Sequence, residues 1–166
     1  MKDKEPIHEK KFKRMSKRSL KEFNIEEARG WTIDRLQQIE YRINAKIIEY
    51  FKPADKHKFE KIILNSSILD IGSKLKILRN TETVDKQTID KIRNLAAIRN
   101  GFAHAPIKDH IRMSVDTKLE GGIDKTSIVV QSFIEVMNSQ GDIKSKNAFD
   151  YLVEFWTLNK EIREKI

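Results

Sequence analysis

Residues 84–104 read VDKQTIDKIRNLAAIRNGFAH, and the spacing inside this stretch argues for a mainly helical fold. Ile89, Ile92, Leu95 and Phe102 recur at helical intervals and form an apolar face, with Arg99 on that same face. A guanidinium keeps its charge there, so it needs a carboxylate, a phosphate or backbone carbonyls as partner. A neighbouring row holds Arg93, Ala97, Asn100 and His104. Ala96, Ala97, Gly101, Ala103 and Ala105 keep the surface shallow between the rows, so a second helix can approach closely. The same segment of a second copy, related by a two-fold axis, is one candidate for that helix. Arg99 and His104 lie about 140° apart on a regular helix. One chain therefore aligns them poorly, whereas two chains would bring two arginines and two histidines into one cleft.

Upstream, Asn24 followed by Glu27 has the form of a capping box. Leu36, Ile39, Ile43, Ile47 and Tyr50 continue as an apolar stripe, and Pro53 closes this first helix near Phe51. A second helix is expected to open at Asp55 and to use Phe59, Ile62 and Ile63. Asn65-Ser66-Ser67 interrupts it, with Ser67 as cap of a third helix that buries Leu69, Leu75 and Leu78.

Downstream of Pro106 the period changes to two. Ile111, Met113 and Val115 alternate with Arg112, Ser114 and Asp116; Ile128, Val130, Ile134 and Val136 form a second alternating run beyond Gly121-Gly122. The expectation is an antiparallel hairpin at about 110–137, a turn over 138–142, and a last helix from about Ser145. That helix carries two apolar stripes, Phe149-Leu152-Val153-Trp156 and Tyr151-Phe155-Leu158-Ile162. The fold class is then mainly α, with an added β-hairpin before the C-terminal helix. Residues 23–166 form one domain behind a basic, flexible tail at 1–22.

The 166 residues carry a net charge of +8 and no cysteine. Disulfides, thiolate nucleophiles and thiolate-ligated metals are excluded, in keeping with a reducing, cytoplasmic setting. No apolar run reaches the roughly 18 residues that span a bilayer, so stable membrane insertion is not expected. The basic start is followed by no apolar stretch, so no secretory leader is expected. The tail holds nine Lys and Arg against four acids, and an excess of this kind favours polyanionic partners. Lys10, Lys11, Lys13, Arg14, Lys17 and Arg18, with Arg93, are the candidate nucleic-acid contacts. No metal or cofactor is expected: His104 and His110 flank Pro106 without a second ligand pair, and His8 and His57 are read as solvated. Trp31, Trp156, Tyr41, Tyr50 and Tyr151 sit at helical spacings that make most of them core residues.

The string Ile98-Arg99-Asn100-Gly101-Phe102-Ala103-His104 resembles the signature of the HEPN superfamily (higher eukaryotes and prokaryotes nucleotide-binding domains). That signature is Arg, four to six residues, then His, with a polar residue straight after the Arg. The stretch from Phe59 to Asn100, with Ser73 to Leu78 and Ile92-Arg93-Asn94, is similar to the branch containing the mannitol operon repressor-like proteins. The resemblance implies an antiparallel helical bundle (HEPN-like), a homodimer through the motif helices and metal-independent ribonuclease activity. Arg99 and His104 would be the catalytic pair, with Asn100 as polar companion. It also implies a setting in toxin–antitoxin or anti-phage systems, hence RNA and an antitoxin protein as partners. The alternative is a non-catalytic module of the same fold, a transcriptional regulator or scaffold, in which Arg99 and His104 knit a dimer together.

Overall fold

The computed structural model describes residues 24–116, 125–137 and 142–166. The tail contacts Lys10, Lys11, Lys13, Arg14, Lys17 and Arg18 lie outside the described residues, as do the Gly121-Gly122 turn and most of the turn over 138–142.

Helix α1 spans Ile25–Phe51. Asn24 caps it by accepting a hydrogen bond from the Glu27 amide at 3.0 Å, as the sequence spacing predicts. Lys52 ends it in the left-handed conformation, its N–H donating to the Ile48 carbonyl, directly ahead of Pro53. Trp31, Leu36, Ile39, Ile43 and Ile47 are buried along one stripe, but Tyr50 is exposed at the end of it. Tyr41 is exposed as well, so the aromatic residues expected in the core divide: Trp31 and Tyr151 are buried, Trp156 is half-buried, and these two face solvent.

Helix α2 starts at Asp55, whose side chain caps Lys58, and runs over Lys56–Lys58 before continuing as a π-helical turn, Phe59–Ile63. The wider turn shifts the helical phase. Leu64 becomes the buried residue, while Ile62 and Ile63 stay 55% and 44% exposed, against the expectation that they enter the core.

Helix α3 spans Ile71–Asn80 and is capped by Asp70, not by Ser67. Ser67 is occupied elsewhere: its amide and hydroxyl both donate to Asn65 Oδ1, at 3.0 and 2.7 Å, closing the preceding turn. Leu75 and Leu78 are buried as expected, and Leu69 only partly. Lys74 lies beside Leu78 on the same stripe, fully buried, and its ammonium pairs with Glu40 of α1.

Helix α4 spans Lys86–His104 behind the Asp85 cap. Strands β1 (Ile107–Asp116), β2 (Lys125–Met137) and β3 (Ile143–Asn147) form an antiparallel sheet in that order. The pairing runs from Ile107 opposite Ile134 to Asp116 opposite Lys125. The expected hairpin is therefore present but begins earlier, and it carries a third strand in which Phe133 faces Asn147. Helix α5 spans Ala148–Arg163, so the last helix opens at Ala148 and not at Ser145. Asn147 sets that start by accepting from the amides of Phe149 and Asp150.

Helices α1, α3, α4 and α5 share one apolar core, with Ile134 of β2 joining from the sheet. Tyr151, Leu152, Phe155 and Ile162 supply the buried side of α5, whereas Val153 is exposed. Trp31 meets Phe155 edge-on at 5.6 Å, and Lys91 of α4 pairs with Glu161 of α5 at 2.7 Å.

Two predictions follow from the charges in this frame. Glu40→Ala strands a buried ammonium and should lower the unfolding free energy by about 3–5 kcal/mol. Replacing both partners by apolar residues (Lys74→Met with Glu40→Leu) should recover most of that loss in urea unfolding. The caps concern acid stability. The Asp70 carboxyl is held below its ordinary value of 3.8 by the hydroxyl and amide of Ser73, and Asp85 likewise by those of Thr88. Their folded pKa values are depressed, so their contribution is present above about 3.8 and disappears as pH falls through the lower folded values. Asp85→Asn should flatten the loss of helical circular dichroism in that window.

Candidate functional site

The last two turns of α4 are fixed on three sides. Ile98 and Phe102 are buried in the core, and Phe102 stacks on Tyr151 with ring centroids 5.9 Å apart. Gly101 is buried where the sheet and α5 come closest: a Cβ there would lie 3.1 Å from Tyr151 Cε1 and 3.4 Å from Val136 Cγ2. On the third side, Arg29 of α1 reaches the helix end. Its Nε donates to the Phe102 carbonyl at 2.7 Å and its Nη2 to the Ala105 carbonyl at 3.4 Å. Carbonyls at a helix C-terminus lack intrahelical donors and carry partial negative charge, so a guanidinium is a well-matched partner.

The remaining face holds the candidate residues. Arg93, Ala97, Asn100 and His104 are all exposed, so the row read from the sequence is a solvent face. Around the helix Arg99 falls between Leu95 and Ile92, on the apolar face as the spacing predicts. Ile98 and Gly101 widen the buried arc on one flank, where Tyr151 of α5 and Val136 and Ile134 of β2 close on Gly101. Arg99 lies half-buried at the margin of the core. At Gly101 the helix that approaches the shallow strip is α5 of the same chain, through Tyr151, with Val136 and Ile134 of β2 beside it.

Among the described residues, the side chains of Arg99, Asn100 and His104 make no hydrogen bond or ion pair. The helix stays α-helical to His104 without a bulge, so Arg99 and His104 remain about 140° and about 7.5 Å of rise apart. Arg93 pairs with Asp90 at 3.0 Å, three residues away on the surface. Such exposed pairs are worth only about 0.2–1 kcal/mol, so the guanidinium is readily redirected to another anion. His110 lies in β1. Among the described residues, no three His, Asp or Glu side chains gather where they could share a metal ion.

Two contributors were not anticipated from the sequence. Arg29 and the carbonyls it holds are 73 and 76 positions apart, and nothing local to Arg29 signals the link. Lys74 did carry a signal. Ile71, Lys74, Leu75 and Leu78 make a helical stripe with a lysine inside it, and such a lysine demands a carboxylate.

No protein-family model, no curated protein and no solved structure matches this chain.

Burial lifts the Tyr151 hydroxyl above the usual tyrosine range, with Glu154 adding to the shift. The ring itself is confined between Phe102 and the Lys146 ammonium, which sits 4.4 Å from its centroid. Gly101→Ala therefore has little room. Alanine's helix preference of about 1 kcal/mol is opposed by overpacking of about 1–3 kcal/mol. A net loss of about 1 kcal/mol is expected in thermal unfolding, and Gly101→Val should lose considerably more.

Proposed function

We propose that this chain is a metal-independent endoribonuclease of HEPN type, acting as a homodimer in which Arg99, Asn100 and His104 of two copies line one cleft. The observation that carries this reading is that Asn100 and His104 are exposed and Arg99 half-buried, all three side chains without hydrogen-bond or ion-pair partners among the described residues. A structural role would give them partners. Yet the helix-end carbonyls are held by Arg29.

The separation of Arg99 and His104 around the helix supports a second copy. One helix cannot aim both at one phosphate, whereas a two-fold axis can set the Arg99 of one protomer against the His104 of the other. The rest of α4 is immobilised by Phe102, Gly101 and Arg29, so the face would be presented rigidly, as positioning of a reacting group requires.

The chemistry uses the substrate's own nucleophile. One His104 takes the proton from the ribose 2′-hydroxyl, and the 2′-oxygen attacks the adjacent phosphorus. Arg99 neutralises the charge gathering on the non-bridging oxygens. The bond to the 5′-oxygen breaks, and the second His104 or a water protonates that leaving group. The products are a 2′,3′-cyclic phosphate and a 5′-hydroxyl. Arg93 and the basic residues of 1–22 would hold the RNA backbone through its phosphates. The resemblance further implies an RNA toxin or an anti-phage component restrained by an antitoxin protein.

The test is cleavage of a mixed RNA pool in EDTA by the wild type and by folded His104→Ala and Arg99→Ala proteins. Cleavage by the wild type alone, with cyclic-phosphate ends and a loss of at least 100-fold in the variants, is expected from removing a general base. Loss of all cleavage on chelation would overturn the mechanism. An intact dimer that cleaves nothing would leave the non-catalytic binding module as the function.

A further inference from the structure

We propose that the cavity between α1 and α2 is a second binding site, separate from the α4 face, which takes a guanidinium group carried by a small molecule or by an arginine side chain of a peptide. The cavity measures about 440 Å³, within the range of sites for small organic ligands. Glu40, Tyr41 and Asn44 face it from α1, and His57, Glu60 and Lys61 face it from α2 and its π-helical turn.

The first observation is that α2 and its π turn present polar side chains, as well as Phe59, on the side towards α1. Two helices of one chain ordinarily meet through apolar residues, with polar ones outside. Here Ile62 and Ile63 point to solvent, while half-buried Glu60 and the exposed His57 and Lys61 line the space towards α1; Phe59 packs partly against the core and Leu64 is buried. The π turn Phe59–Ile63 produces that phase, and such turns occur frequently at functional sites.

The second observation is Asn44. It borders the cavity, is only 6% exposed, and its Oδ1 has no hydrogen-bond donor. Buried amides ordinarily find partners. Half a turn about its last side-chain torsion offers that oxygen to the cavity as an acceptor for a ligand N–H.

Charge and shape select the ligand class. Lys74 already neutralises Glu40 from behind. Glu60, half-buried, has no ion pair among the described residues, which leaves one uncompensated carboxylate at the cavity. Lys61 follows Glu60 directly, a spacing at which helical side chains do not face each other, and its exposed ammonium can extend into water. A guanidinium matches this set: its planar fork pairs with a carboxylate through two parallel hydrogen bonds and stacks on an aromatic ring. Tyr41 supplies that ring at the rim, its hydroxyl held by Gln37 Nε2 at 3.2 Å.

The experiment is calorimetric titration of the full chain with agmatine and with a capped Gly-Arg-Gly peptide, the two arms separating a free ligand from a peptide side chain. Binding of either probe is expected, weakened at least tenfold by Glu60→Gln and by Tyr41→Ala and unchanged by His104→Ala. Both weakening variants alter side chains outside the core, and amide chemical shifts of Asn44 and Leu64 give a second readout of the same site. Failure of both probes to bind at millimolar concentration, or binding that Glu60→Gln leaves unchanged or strengthens, overturns the proposal. The ribonuclease reading fails or stands on RNA cleavage alone, so the two are distinguishable.

Discussion

The approach of β2 and α5 to α4 at Gly101 is the constraint on which the remainder of the structure depends. With hydrogen in place of a side chain, Tyr151 and Val136 come close enough to cover one flank of the helix. That contact lets Phe102 stack on Tyr151 and brings Ile134 into the core. It also decides which side of α4 is left open. The side bearing Ile98 and Gly101 is taken by the chain itself, and Arg93, Ala97, Asn100 and His104 are left outside. The proposed catalytic face is thus the remainder after packing, held rigid by the contacts that exclude it from the core.

Much of the fold was legible wherever one local signal had a single competent reading. Asn24, Asp55 and the proline at 53 placed the limits of α1 and the start of α2 because capping and proline geometry act over a few residues. Alternation after Pro106 gave the two long strands for the same reason. The errors arose where two residues competed or where the decisive partner was distant. Ser67 and Asp70 are both acceptable caps, and the choice went to Asp70 because Asn65 holds Ser67. The third strand, Ile143–Asn147, is short and mostly exposed, so it offers no period to read. Its existence depends on pairing with β2.

At the site, the exposed row of α4 and the face that carries Arg99 were legible from spacing, but the full width of the buried arc was not. A helical wheel leaves Ile98 and Gly101 off the apolar face because it weighs only residues within α4. The true buried arc is wider and turned towards Ile98, since neighbours arrive from two directions. The π turn misleads a wheel in a related way: periodicity assumes a constant angular step, and a wider turn breaks it at Phe59–Ile63. Lys74 was a lapse of a different kind, for its place on the stripe of Leu75 and Leu78 was in plain view.

Helix α1 is tied to the far end of the chain. Arg42 donates to the main-chain oxygens of Arg163 and Ile166, 121 and 124 residues later, and Trp31 rests on Phe155. On a ribosome, α1 therefore emerges well before the helix that covers it. Synthesis proceeds at about 5–20 residues per second, so its apolar stripe waits for seconds before α5 appears. During that interval α3 and α4 can shield part of it, but the Trp31 side must remain uncovered. Chaperone capture of nascent chains should concentrate there, on a surface that the finished protein hides.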